Sequence, residues 1–75
     1  MVELKNIVET DNEISFDCYP DGIKENKREV VIDKNTLEIK SGSIRDMYMG
    51  MAIQKIRKYI RKGIPLPKEL LSVWY

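Results

Sequence analysis

The sequence predicts an α+β fold: an antiparallel β-meander of three or four strands, covered on one face by a single long helix from the C-terminal half, with a short C-terminal extension. Three observations carry this reading. Apolar residues recur at every second position before Ser43 and at helical spacing after it. Turn-forming residues punctuate the first part at the short intervals that hairpins use. The charge also reverses at the same place, from ten acids and six bases in residues 1–42 (net −4) to two acids and seven bases in residues 43–75 (net +5).

The first strand is expected over about residues 2–8. Val2 and Leu4 share one face, but Ile7 and Val8 break the parity, which predicts a bulge or an early end near Asn6. Thr10-Asp11-Asn12 is a turn cluster whose side chains cap their own backbone. Residues 13–19 alternate without a slip, with Ile14, Phe16 and Cys18 inward and Glu13, Ser15, Asp17 and Tyr19 outward. Pro20-Asp21-Gly22 reads as a turn or bulge. The polar stretch 23–28 is either a loop or the far end of a long hairpin. Residues 29–33 and 36–40 complete the meander across Lys34-Asn35, where asparagine would supply the positive φ of a tight turn.

The helix is expected over about residues 44–62. Ser43 is the N-cap and Asp46 closes a variant capping box. Gly63 is the left-handed C′ residue, Ile64 its hydrophobic contact, and Pro65 forbids continuation. On a helical projection Met49, Ala52, Ile53, Ile56, Tyr59, Ile60 and Gly63 form one stripe, the predicted core face. Pro67 at N1 predicts a short second helix over residues 67–71.

The whole chain is 75 residues, one domain with no room for a second core. A single cysteine, Cys18, excludes an intramolecular disulfide scaffold. The N-terminus has neither a basic nor an apolar leader region, and no apolar run approaches the ~20 residues of a membrane span. These features predict a cytoplasmic protein without membrane contact.

Histidine is absent, which removes the commonest general base and transition-metal ligand. Cys18, at an inward strand position, reads as a core residue, since a nucleophile needs solvent and a basic neighbour. The acids of the strands are spread by alternation and lack the dense spacing of a calcium loop. No enzyme, cofactor or metal is therefore expected, and no motif marks a known family.

Two binding readings follow from the helix. Its C-terminal half carries Lys55, Arg57, Lys58, Arg61 and Lys62, while the outward side of the strands is acidic, so the domain should be polarised. Met47 and Met51 fall one turn apart on the outer side, beside Tyr48 and Gln54. With Trp74 and Tyr75 they are the candidate interface of a protein-interaction module: a homodimer, adaptor or inhibitor. Three arrangements are open: the C-terminal tail covers the methionines, swaps between two copies, or binds a partner. The alternative is a nucleic-acid binder using the five helix cations against phosphates.

Overall fold

The computed structural model describes residues 1–41 and 47–72; the Ser43/Asp46 cap and the aromatic end Trp74-Tyr75 lie outside the described residues. Five strands form one antiparallel sheet: β1 (Val2–Glu9), β2 (Glu13–Pro20), β3 (Arg28–Asp33), β4 (Ile39–Ser41) and β5 (Leu70–Ser72). Their spatial order is β4-β3-β2-β1-β5. The first four are a meander. The helix α1 (Met47–Lys62) then carries the chain from the β4 edge across to the β5 edge and rests on β1, β2 and β5. The architecture is α+β, as the sequence predicts, with one strand more than expected.

The parity slip in the first strand is a β-bulge. Lys5 faces Asp17 and Val8 faces Ser15, so Asn6 and Ile7 together oppose Phe16. Asn6 takes φ 54°, a left-handed conformation that asparagine tolerates better than most residues. Its Nδ2 donates to Asp17 Oδ2 at 2.8 Å. The extra residue returns Ile7 to the inner face beside Val2 and Leu4, all three buried. Alternation in β2 is complete: Ile14, Phe16, Cys18 and Pro20 are buried, and the residues between them half-buried.

Two connections differ from the sequence reading. Of residues 23–28, only Arg28 joins the β2–β3 hairpin, opposite Cys18. Residues 23–27 form a loop with one 3-10 turn (Lys24–Asn26), entered through the left-handed pair Asp21 and Gly22. The β3–β4 connection is longer than a two-residue turn, so β4 begins at Ile39 rather than Thr36. Asp33 is the cause: its Oδ1 accepts the N–H groups of Asn35 and Thr36 at 2.8 and 2.9 Å. Its carbonyl accepts the N–H of Leu37 at 2.8 Å. The chain is wound into a helical turn, and the positive φ falls at its end, on Leu37 (62°), instead of on Asn35.

The short helix expected over residues 67–71 is absent, and β5 stands in its place. Without it β1 would be an edge with unpaired N–H and C=O groups. Leu70, Leu71 and Ser72 pair there with Leu4, Glu3 and Val2. A five-residue helix offers too few internal hydrogen bonds to compete. Residues before Pro65 and Pro67 are also biased toward extended backbone, which leads the chain into a strand.

The core lies between sheet and helix: Leu4, Ile14, Phe16, Val30 and Ile32 from the strands meet Met49, Ala52 and Ile56 from α1. Ala52 is fully buried, and its small side chain lets the helix axis approach the sheet. The helix ends as expected. Gly63 (φ 69°) donates its N–H to the Ile60 carbonyl, and Ile64 donates to the Tyr59 carbonyl at 3.0 Å. These are the paired bonds of a Schellman cap.

Candidate interaction surface

Burial along α1 sorts its residues by angle. Met49, Ala52 and Ile56, spaced i, i+3, i+7, are buried against the sheet. Tyr48, Met51 and Ile53 are partly buried and pack on this core from its two flanks. Met47 stands out at 68% exposure. Gly50, Gln54, Lys58, Arg61 and Lys62 are exposed, and Lys55 and Arg57 half-buried.

Two details of the helix faces go beyond periodicity. Met51 lines the same outer cleft as Met47 but is less exposed, since it also packs against the core. Ile60 and Gly63, placed on the core stripe by periodicity, are not buried, with Ile60 at 37% exposure. They line a cleft with Glu9, Lys34 and Leu66.

Tyr48 is fixed by a specific bond. Its hydroxyl donates to Asp21 Oδ2 at 2.8 Å. Asp21 also receives the Met1 ammonium at Oδ1, 3.3 Å away. The Tyr48 hydroxyl foremost, and that ammonium, hold the Asp21 carboxyl below its ordinary pKa. Tyr48 is thus a structural tie between α1 and the β2–β3 loop, and a less available contact residue than its sequence position indicated.

Two clefts run along the outer side of α1 next to the C-terminal segment. One, of about 440 Å³, is lined by Met47, Gly50, Met51, Gln54, Lys55, Lys58 and Ser72. The second, of about 360 Å³, is lined by Lys55, Lys58, Tyr59, Lys62 and Ile64. They share Lys55 and Lys58 and so adjoin; the pair, termed the trough, has its apolar residues around Met47 and Met51 and cations toward Lys62. On the other flank of the helix, Arg57 faces a separate cleft with Leu37, Ile39, Met49 and Ile53.

The electrostatics divide between the two layers. Every ion pair among the described residues lies in the sheet half: Glu3 with Lys5, Glu9 with Lys34, Glu13 with Lys40, and Asp17 and Glu29 with Lys27, besides the Met1–Asp21 pair. Lys5 also lies 5.8 Å from the centroid of the Tyr19 ring. Asp33 is held below its ordinary pKa chiefly by the Thr36 and Asn35 N–H groups. Lys40 is raised, chiefly by its bond to Glu13. Five strand carboxylates (Glu3, Glu9, Glu13, Asp17 and Glu29) are therefore paired with lysines of the strands (Lys5, Lys40) or of their connections (Lys27, Lys34). Among the described residues, Lys55, Arg57, Lys58, Arg61 and Lys62 make no ion pair with a carboxylate.

Of the residues singled out from the sequence, the trough brings together Met47, Met51, Gln54, Lys55, Lys58 and Lys62. Tyr48 and Arg57 lie apart from it, and Arg61 is exposed outside it. Sequence reasoning missed Ser72, Tyr59 and Ile64 as trough residues, because their positions depend on how residues 63–72 return along the helix. No three His, Cys, Asp or Glu side chains are gathered to hold a metal among the described residues. No helix among them is long and apolar enough to cross a membrane. Comparison with protein-family models, with curated proteins and with solved structures finds no match to this chain.

Proposed function

We propose that this chain is a small intracellular protein-interaction module, not an enzyme, and that it binds its partner through the outer surface of α1. The observation that carries this reading is Met47, an unbranched apolar side chain left 68% exposed at the mouth of a trough. Methionine adapts to irregular apolar surfaces and is favoured at protein interfaces. The neighbouring Gly50 leaves room for a partner's side chain: a Cβ placed there meets nothing within 4 Å. Lysines at the cationic end would steer encounter and set orientation more than they add affinity. Trp74 and Tyr75, which come after Val73 in the sequence, lie outside the described residues.

The test is affinity capture from the native host, with and without nuclease, comparing the parent chain with Met47→Asp. Met47 is the cleaner position because Met51 packs on the core. A protein partner held by the parent after nuclease and lost with Met47→Asp supports the reading. Equal capture by both chains counts against it. A homodimer would show as a concentration-dependent mass in light scattering, abolished by the same substitution.

A second reading, nucleic-acid binding, has its own support in the five helix cations that make no ion pair with a carboxylate among the described residues. It predicts an electrophoretic shift at low salt with mixed DNA and RNA, lost when Lys58, Arg61 and Lys62 become glutamine. No shift at low salt ends that reading.

A further inference from the structure

We infer that the partner presents an acidic amphipathic segment, which lies along the trough with its apolar side chains at Met47 and Met51 and its carboxylates at Lys55, Lys58 and Lys62. The inference rests on the α1 reading above and names the chemistry of its partner.

Continuity is the first argument. Because the two clefts share Lys55 and Lys58, a single occupant can touch both ends. From Met47 to Lys62 the helix rises about 22 Å, which matches roughly seven residues of extended peptide or four turns of helix.

Charge complementarity is the second. The chain satisfies its sheet carboxylates with sheet lysines and leaves the α1 cations without carboxylate partners among the described residues. Lys55, Lys58 and Lys62 recur at i, i+3, i+7 and so form one ridge along the trough. An incoming carboxylate would displace none of the carboxylates among the described residues. It would meet Lys55 half-buried and Lys58 and Lys62 exposed.

The third argument separates a peptide from a nucleic acid. A phosphate backbone is charged along its whole length and needs cations throughout. Here Lys55 and Lys58 stand on one side of the Met47 cleft, and the rest of its lining is Met47, Gly50, Met51, Gln54 and Ser72, with no charge. A segment with apolar residues at one end and acids at the other uses both ends.

The test is fluorescence anisotropy on the full-length chain with a labelled synthetic peptide carrying two leucines followed by glutamates. Control probes replace the leucines by serine or the glutamates by glutamine, and an oligothymidylate of matching length stands for nucleic acid. Saturable binding of the first peptide is expected, weakened about tenfold or more by either replacement. Lys58→Glu with Lys62→Glu should abolish it and confer binding of a peptide with lysines in place of glutamates. Both positions are exposed, and circular dichroism checks that the fold survives. Absence of saturable binding up to about 1 mM overturns the inference, as does tighter binding of the oligothymidylate. Binding that appears only when the chain is shortened after Ser72 would assign the trough to the chain's own last residues, and also overturns it. If Met47→Asp still abolishes capture of a host protein while the acidic peptide fails to bind, the α1 reading stands and this inference alone falls.

Discussion

The Tyr48 hydroxyl donates a 2.8 Å hydrogen bond to Asp21 Oδ2, tying α1 to the β2–β3 loop across 27 residues of sequence. Asp21 is held in the left-handed region at φ 55°, and its own N–H donates to the Met1 carbonyl at 2.7 Å. One side chain thus joins the helix, the β2–β3 loop and the start of β1. Replacing Tyr48 by phenylalanine should raise the Asp21 pKa toward its ordinary 3.8, read by carboxyl-carbon NMR titration. An unchanged Asp21 titration would show that the bond does not persist in solution.

The pH dependence of stability has a definite sign at each end. Asp21 and Asp33 have lowered folded-state pKa values, so their contribution is present above pH 3.8 and is lost as pH falls through the folded values. Lys40 is raised above 10.5; its contribution is present below that pH and is lost as pH rises through the folded value. Urea midpoints measured against pH should fall at both ends. Asp33→Asn should flatten the acid limb and Lys40→Gln the alkaline limb.

Two glycines in and after the same helix should respond with opposite signs. Gly50 lies inside α1 with open space where a Cβ would go, so Gly50→Ala should stabilise by about 0.5–1 kcal/mol through helix propensity. Gly63 sits at φ 69° with equally open space, so Gly63→Ala should destabilise by about 1 kcal/mol through backbone conformation alone. Chemical denaturation of the two variants checks both. If the trough binds a partner, Gly50→Ala should also weaken capture.

Core packing at the centre of α1 admits little change. Ile56→Ala should cost about 2–4 kcal/mol as the lost transfer energy and the cavity add. Ala52→Leu should cost about 1–3 kcal/mol because the helix must lift from the sheet. In a domain this small either change is a large share of total stability, and thermal melts should show the loss directly.

Leu37 carries a strain that its neighbours do not. At φ 62° it occupies a region that disfavours leucine by about 1–2 kcal/mol, yet its side chain packs partly on the core. Leu37→Gly relieves the first and forfeits the second. The net change should stay within about 1 kcal/mol, well below the usual loss on removing a leucine that touches the core.

Much of this fold is legible in the sequence because short-range chemistry decides it. The bulge at Asn6 shows as a parity slip, β2 as clean alternation, and the helix end as Gly63 before Ile64 and Pro65. What the sequence hides depends on long-range partners. Leu70–Ser72 becomes a strand only because β1 offers a free edge. Asp33 lengthens its hairpin through bonds that local spacing does not reveal. The candidate surface was half visible: Met47 and the lysine ridge follow from helical spacing. The burial of Met51 and the walls at Ser72 and Ile64 depend on where the chain returns after Gly63. The charge reversal was visible, but the pairing of the sheet acids with Lys5, Lys27 and Lys40 needed three dimensions.

We propose that partner recognition belongs to the outer surface of α1 and not to the open face of the sheet. Backbone amide NMR spectra of the labelled chain, recorded with increasing amounts of the captured partner or the acidic leucine peptide, test it most directly. The largest shifts should fall in residues 47–62 and at Ser72, centred on Met47, Lys55 and Lys58. Shifts concentrated instead on Val8, Ser15 and Val31, with α1 unmoved, would contradict it.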